Sequence, residues 1–429
     1  MRSEFTSLAF DPSVASATLA QLPQSSAVFA LYGAEAHAEP YIGRTPNLRG
    51  RLERLLQPSA KHPRRLQLAG RVRRIAWRLT GSEFESLLAQ FSLLVEAFGD
   101  RALERMHLRA PAFVRYLGGN PYPRITVTHR PSQRETDWAY GPFASRAAAE
   151  RFAEEALKLF LLRRCTDDLD PHPSHPGCVY SEMKMCLAPC YQGCTDERYA
   201  EEAAAVESFM ATRGESRLVV LRTQREEAAA KLEFEAAAAI HAQVQRVESV
   251  RALASELVRP LSRLRAVILQ PATNPDEVAV FLFEKGRLRG PAGFSTLGMR
   301  IQNEQSGSSS LFAHPVALEP VPESPFTEVS QPAPAVSEAG AERPVKTARG
   351  LLEARMEAAL AALPEPIDAS SATLRQGHLA LLKRWYYRPE ARRTGEVFFP
   401  DSDDHWPVKA MLRGVGRVAA KMMAPASRA

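Results

Sequence analysis

The spacing of apolar residues changes period along the chain, and each change predicts an element. Residues 28–31 form a short apolar run of strand length, and a second extended stretch ends at Tyr41-Ile42-Gly43. A helix studded with arginine follows over residues 48–56, then a strand over 72–79 and a helix from about 83 to 98. Ser82 followed by Glu85 predicts a capping box at the start of that helix. Residues 122–128 alternate as a strand does, and 144–163 are rich in Ala, Leu and Glu and read as a helix. A helical stretch over 196–257 breaks at Gly214, which predicts a hairpin of two helices. Residues 264–300 turn β-like, with strands at 265–269, 278–284 and 287–289 and a tight turn at Lys285-Gly286.

The outer parts are less regular. Residues 1–25 predict a short helix and a lead-in. Six prolines fall between Pro320 and Pro344, and the Ser, Pro, Glu and Ala content of 303–347 predicts a disordered linker. The last part, 348–429, predicts one amphipathic helix, an aromatic and basic cluster, and a weak tail. The pattern divides the chain into 20–115, a small α/β unit; 116–195, linking strands, a helix and a cysteine loop; 196–257, the helical hairpin; 258–302, a short β-rich segment; then the linker and the C-terminal region. The predicted class is a multi-domain α/β (α+β) protein.

Composition narrows the function. The chain has 429 residues and is 45% hydrophobic, enough for two or more cores. No run of about 18 apolar residues predicts a membrane span, and Met1-Arg2-Ser3-Glu4 does not open like a secretory signal, so a cytoplasmic location is expected. The net charge of +6 is modest but unevenly placed: between Arg44 and Arg78 stand eleven Lys or Arg and one acid, Glu53. Such a concentration suits a polyanion, and a solvated basic helix face is the plain alternative. All five cysteines fall between Cys165 and Cys194, too local for a secreted disulfide framework. Cys165, Cys178, Cys186 and Cys190 are separated by twelve, seven and three residues. Four thiolates from one loop suit tetrahedral zinc or a [4Fe–4S] cluster, and the spacing alone does not choose. Cys194 falls outside the pattern, and His172 and His175 are further nitrogen donors in the loop.

Residues 27–51, AVFALYGAEAHAEPYIGRTPNLRGR, resemble the signature of GIY-YIG nucleases, and Asn47-Leu48 with Arg51 resembles the form of it found in the UvrC excinuclease family. The resemblance implies a catalytic Tyr41, a phosphate-stabilising Arg51, and Arg44 in place of the usual lysine. It implies double-stranded DNA as a partner, with Arg44, Asn47, Arg49, Arg51 and Arg54 on the DNA-binding segment. Three positions depart from it. Phe29 stands for the first tyrosine, Gln90 for the glutamate that binds Mg²⁺ or Mn²⁺, and Val114 for an active-site asparagine. An amide carbonyl is a poorer ligand than a carboxylate for a hard dication, and Glu83 and Glu85 are candidate substitutes. Phe29 also reads simply as a core aromatic.

Further matches follow in the family's order. Asn120-Pro121-Tyr122-Pro123-Arg124-Ile125, then Tyr140-Gly141-Pro142-Phe143, precede the loop, and Met185-Cys186-Leu187-Ala188-Pro189-Cys190 resembles the family's cysteine pair. That resemblance implies the [4Fe–4S] cluster. Residues 228–244, AAAKLEFEAAAAIHAQV, resemble the UVR motif, which implies docking on a UvrB-like helicase subunit through Leu232, Phe234, Glu235, Ala237 and Ala238. An alanine-rich segment is also simply a good helix former, and His241-Ala242 replaces the family's Arg-Asp. Past residue 258 the resemblance stops: no spaced carboxylate triad for a second nuclease is found, Asp401, Asp403 and Asp404 share one loop, and Leu412-Arg413-Gly414-Val415-Gly416 is a weak hairpin signal. Arg384-Trp385-Tyr386-Tyr387-Arg388 suits either base stacking or a core edge. Three readings remain: a structure-specific excision-repair endonuclease with a degenerate site, a non-catalytic DNA-binding and assembly protein, and an iron–sulfur or zinc sensing module.

Overall fold

The structure is a computed structural model that describes residues 5–35, 38–57, 68–130, 137–297, 299, 348–363 and 371–423. The linker expected over 303–347 lies outside the described residues. The first unit contains β1 (Thr6–Ala9), α1 (Ala15–Ala20), β2 (Ala27–Tyr32), β3 (Tyr41–Thr45), α2 (Leu48–Leu56), β4 (Arg74–Leu79) and α3 (Glu83–Phe98). Its strands form an antiparallel sheet in the order β1-β4-β2-β3. The alternation of β2 decides what each face holds. Ala27, Phe29 and Leu31 join Leu48, Leu52, Leu55 and Leu56 of α2 in one core, while Val28 and Ala30 meet Ala89 and Leu93 of α3 on the other face. The short helix expected within residues 1–25 is α1, and the lead-in before it holds strand β1, which pairs with the distant β4, a non-local contact that local pattern does not signal.

The second unit contains α4 (Ala102–Arg105), β5 (Ala112–Leu117), β6 (Ile125–Thr128), β7 (Asp137–Phe143) and α5 (Arg146–Leu157), then the cysteine loop with the short α6 (Val179–Glu182). Three helices follow where a hairpin of two was expected: α7 (Asp196–Ala211), α8 (Glu215–Ala230) and α9 (Phe234–Ala252). The break at Gly214 is present, and a second comes at residues 231–233, where Leu232 takes a left-handed φ of 61°. Strand β8 (Arg259–Pro260) closes the sheet β6-β5-β7-β8.

The third sheet joins two parts that read separately in the sequence. β9 (Ala266–Pro271), β10 (Glu277–Glu284) and β11 (Arg287–Ser295) form a meander whose tight turn places Lys285 and Gly286 at positive φ. After α10 (Ala348–Ala361) and α11 (Ala372–Tyr386), β12 (Glu396–Phe398) pairs with β9, and α12 (Val408–Met423) follows. Both faces of β9 are buried: Ala266 and Ile268 enter the core shared with α3 and α11, and Val267 and Leu269 the core shared with α10 and α12. Among its described residues the C-terminal region therefore has three helices and a strand, where one helix, an aromatic and basic cluster and a tail were expected. Leu412 to Gly416 lie inside the continuous α12, not in a hairpin.

Helix α3 belongs to two cores at once. Phe84, Leu87, Leu88, Phe91 and Leu94 pack against Phe281, Phe283, Leu379, Leu382 and Trp385, opposite the contacts of Ala89 and Leu93 with the first sheet. Its start is capped by the Ser82 hydroxyl, which accepts from Glu85 N–H at 3.1 Å, but the Glu85 carboxylate accepts from Gly81 N–H at 2.9 Å instead of completing the expected capping box on Ser82. The two helices of the shared core touch at Gly377 of α11, where any side chain would overlap the Phe91 ring. Gly377→Ala is therefore expected to lower stability by about 1–3 kcal/mol through overpacking, read as a lower denaturant midpoint. Gly416→Ala, whose side chain would enter open space in α12, is expected to leave the midpoint unchanged or raise it.

Candidate nucleic-acid interface and thiol centre

One face of the first sheet brings together Phe29, Tyr41 and Arg51. Phe29 is fully buried, its ring 6.1 Å from that of Tyr41. Phe29 pairs with Gly43 in the sheet, and a Cβ at Gly43 would stand 2.8 Å from Phe29 Cζ, the ring atom that carries the hydroxyl in a tyrosine. Arg51, on α2, donates from Nη2 to the Tyr41 hydroxyl at 3.4 Å. Tyr41 and Arg51 are each half-exposed, so a phenol and a guanidinium face solvent side by side. The other residues of the basic segment divide by task. The Asn47 side chain caps α2 by accepting from Gly50 N–H at 2.9 Å, and Arg49 Nε is held by the Leu22 carbonyl at 2.7 Å. Arg54 remains exposed, its Nε on the Gly50 carbonyl.

Arg44, Gln90 and Val114 are not part of that constellation. Strand alternation turns Arg44 to the α3 side of the sheet, where its Nη1 stands 3.4 Å from Glu83 Oε1. Glu83 also takes both Nη atoms of Arg388 at 2.7 and 2.9 Å. The Arg388 hydrogen bonds, aided by the charges of Arg388 and Arg44, hold Glu83 ionised down to about 2. Glu85 is buried, pairs with Arg78 at 3.0 Å, and burial pushes its carboxyl upward. Both carboxylates that precede Gln90 on α3 are thus bound by arginine. Gln90 is half-buried, beside Ala89. Val114 is fully buried in the core of the second sheet with Tyr140 and Phe152. The only group of three metal-type ligands with atoms within 4.8 Å of one another, among the described residues, is the exposed Asp401, Asp403 and His405.

The four cysteines of the spacing share one neighbourhood. Burial raises the Cys186 thiol, and the charges of Cys178, Cys190 and Cys165 raise it further; Cys190 is raised in the same way by burial, Cys178 and Cys165. Backbone N–H groups of Ala188 and Tyr191 point at Cys186 and Cys190 and favour their thiolates. No three of these sulfurs come within 4.8 Å of one another. Cys194 stands apart, raised by burial and by Asp196. His172 Nδ1 is hydrogen-bonded to Ser174, and His175 Nδ1 accepts from Gly177 N–H.

Arg163, only 1% exposed, organises the entrance to the loop. It donates to the carbonyls of Tyr122 and Asp167 at 3.0 and 2.7 Å, and lies 3.6 Å from Cys165 Sγ. Its position next to Cys165 was visible in the sequence; its bond to Tyr122, 41 residues away, was not.

Helices α8 and α9 pack side by side through Leu218, Leu221, Val244 and Val247. Leu232 and Phe234 project at the tip, 71% and 67% exposed, with Glu235 and Ala238 exposed and Ala237 half-buried beside them. The aromatic and basic cluster at 384–388 lies at a core edge: Trp385 packs on Phe84 and donates to the Thr394 carbonyl at 2.9 Å, and the Tyr387 hydroxyl donates to the Pro142 carbonyl at 2.9 Å. Among the described residues, no helix is long and apolar enough to cross a membrane.

The fold and these sites define a multi-domain α/β protein with a basic face and a thiol centre. Residues 113–209 match the family model described as the UvrC/Cho excinuclease middle domain. The chain is 30% identical to the UvrABC system protein C of Alcanivorax borkumensis over 211 residues, 49% of this chain and 34% of that protein. It is 27% identical to the protein of the same name from Pseudomonas fluorescens over 242 residues, 56% of this chain and 39% of that protein. It is also 27% identical to that of Ruminiclostridium cellulolyticum over 295 residues, 68% of this chain and 47% of that protein. The chain is UvrC-like, and its matches cover less than half the length of each of these relatives. No solved structure matches.

The Glu83 cluster sets a pH dependence. Its folded carboxyl lies near 2, below the ordinary 4.5, so its stabilisation is fully present above pH 4.5 and is lost as pH falls toward 2. Because Glu83 is part-exposed, the effect is smaller than the shift alone implies. Wild type is expected to lose more stability than Glu83→Gln between pH 4.5 and 2, measured by denaturant titration; equal slopes would remove the role of Glu83.

Proposed function

We propose that this chain acts in nucleotide excision repair as a UvrC-like protein that binds double-stranded DNA and holds a repair complex together, without incising through the face at Tyr41. What supports the reading is the burial of Phe29 against Gly43 while Glu83 and Glu85 are engaged by arginines. Arg51 and Arg54 present guanidinium groups to a phosphate backbone, and the Tyr41 hydroxyl donates to a phosphate oxygen beside Arg51. Hydrolysis needs in addition a base and a metal that neutralises the scissile phosphate. A missing general base costs about 10²–10⁴ in rate, and Gln90 offers a dication only an amide carbonyl. The Tyr41–Arg51 contact favours a second reading, a slow structure-specific endonuclease using Mg²⁺ or Mn²⁺.

The two readings separate in one experiment. The purified chain is expected to bind duplex DNA at low salt, with affinity falling steeply as salt rises, and to leave it intact with Mg²⁺ or Mn²⁺. Arg51→Ala is expected to weaken binding to all sequences and to reduce the salt slope by about 1. Divalent-dependent nicking that Arg51→Ala abolishes would establish the endonuclease instead, and failure to bind at low salt would sink both.

The thiol centre supports a [4Fe–4S] cluster held by Cys165, Cys178, Cys186 and Cys190. What supports the cluster is the likeness of Cys186 and Cys190 to the family's cysteine pair, together with the charges of Cys165, Cys178 and Cys190 acting on Cys186. Bound there, the cluster would cross-link the loop and supply one-electron redox chemistry. Anaerobically purified protein is expected to contain iron and sulfide and to lose both in Cys190→Ser. One equivalent of zinc without iron would overturn the assignment. We also propose that the tip at Leu232 and Phe234, with Glu235, Ala237 and Ala238, docks on a UvrB-like helicase subunit, the two exposed apolar side chains acting as anchors.

A further inference from the structure

A cavity that none of these roles uses lies between β7 and the helices α5, α7 and α9. Its volume is about 310 Å³, within the range of about 300–1,000 Å³ that small-ligand sites occupy. Tyr140, Phe152 and Phe209 form its aromatic wall, and Arg213, Glu248 and Arg251 its charged one.

The charges of this cavity do not close on themselves. Arg213 stands in the turn between α7 and α8 at a left-handed φ of 53°. Its guanidinium lies beside the Tyr140 phenol and donates to the Ser255 carbonyl at 3.4 Å, while its Nε is buried and makes no hydrogen bond. No ion pair engages it among the described residues. The two carboxylates at hand are already taken: Glu215 by Arg251 at 3.0 Å and Arg222 at 3.3 Å, and Glu248 by Arg222 at 3.3 Å. Behind Tyr140, on the neighbouring strand β8, Arg259 is hydrogen-bonded to the carbonyls of Glu256 and Pro400, with the exposed Glu256 as the carboxylate that its charge feels. A half-buried guanidinium without a counter-charge is costly, and an anion in the cavity would remove that cost.

We propose that this cavity binds an oxyanion of the phosphate class, with Arg213 and Arg251 donating to its oxygens and the Tyr140 O–H completing the set. Burial holds the Tyr140 phenol up at about 12, so it keeps its proton to donate at neutral pH. The chemistry fits the phosphate of a mononucleotide, the 5′-phosphate of a DNA strand, or free phosphate. Guanidinium donors suit phosphate oxygens in each case. Unlike the face at Tyr41, this site lies inside the second unit and does not depend on the reading of that face.

The test measures binding of inorganic phosphate, deoxyadenosine 5′-monophosphate, deoxyadenosine, and a single strand with either a 5′-phosphate or a 5′-hydroxyl. It uses calorimetry and thermal shift on the full chain at constant ionic strength. Inorganic phosphate, the monophosphate, or the 5′-phosphate strand over its 5′-hydroxyl counterpart is expected to bind more tightly and raise Tm, while deoxyadenosine does not; which one does so identifies the source. Arg213→Gln is expected to weaken that binding at least about tenfold, whereas Gly416→Ala, in the distant α12, leaves it unchanged. Tyr140→Phe keeps the ring and removes the donor, so it carries the test if Arg213→Gln does not fold. Failure of every phosphate-bearing probe, or wild-type binding by folded Arg213→Gln and Tyr140→Phe, would overturn the proposal.

Discussion

The structure depends on the burial of one helix from both sides. Glu83–Phe98 is apolar around most of its circumference, and such a helix must be enclosed. Ala89 and Leu93 meet the first sheet, while Phe84, Leu87, Leu88 and Phe91 enter the core built from the third sheet and the Ala372–Tyr386 helix. Each of the larger side chains contributes about 1.5–3 kcal/mol when fully buried. The enclosing elements come from both ends of the chain, so the helix ties the N-terminal sheet to the C-terminal region. Close approach at Gly377 and the hydrogen bond from Thr373 to Asp100 fit the same arrangement.

That enclosure also determines what the basic face can do. Arg388 arrives at the end of the docked C-terminal helix and takes Glu83 in a two-pronged ion pair, joined by Arg44. Glu85 is drawn into the helix start by Gly81 and Arg78. Carboxylates held in this way stabilise the junction and are withdrawn from metal chemistry. Tyr41 and Arg51, on the opposite face of the sheet, keep their exposure. Among the described residues, the two carboxylates at the start of α3 are thus held by arginines, while Arg51 and Tyr41 face solvent side by side.

The middle of the chain, where the match to the excinuclease model falls, is organised by buried polar side chains. Arg163 joins the segment at Tyr122 to the start of the cysteine loop, and the Tyr199 hydroxyl donates to the Pro123 carbonyl and accepts from Arg163 N–H. A fully buried arginine is tolerated because its donors meet carbonyls and a sulfur placed to receive them. Arg213 is the contrasting case: it is partly enclosed, yet one of its donors has no partner.

Local pattern was sufficient for the elements made by neighbouring residues. The helices at Leu48–Leu56 and Glu83–Phe98, the Lys285-Gly286 turn, the break at Gly214 and the cysteine spacing were all legible, because caps, periodicity and turn chemistry act over a few residues. The departures at Phe29 and Gln90 were legible too, since they are residue identities. Long-range pairing was not. The choice of a core edge for Trp385 and Tyr387 rests on Phe84 and Pro142, and the β1 strand and the joining of β9 to β12 rest on pairing between distant segments. So does the division of the basic segment, where strand alternation sends Arg44 to Glu83 while Arg51 stays with Tyr41, and the placing of Val114 in a separate core. The sequence by itself determined which groups the chain carries; only tertiary packing decided which of them meet, because charge pairing and burial depend on distance in space and not along the chain.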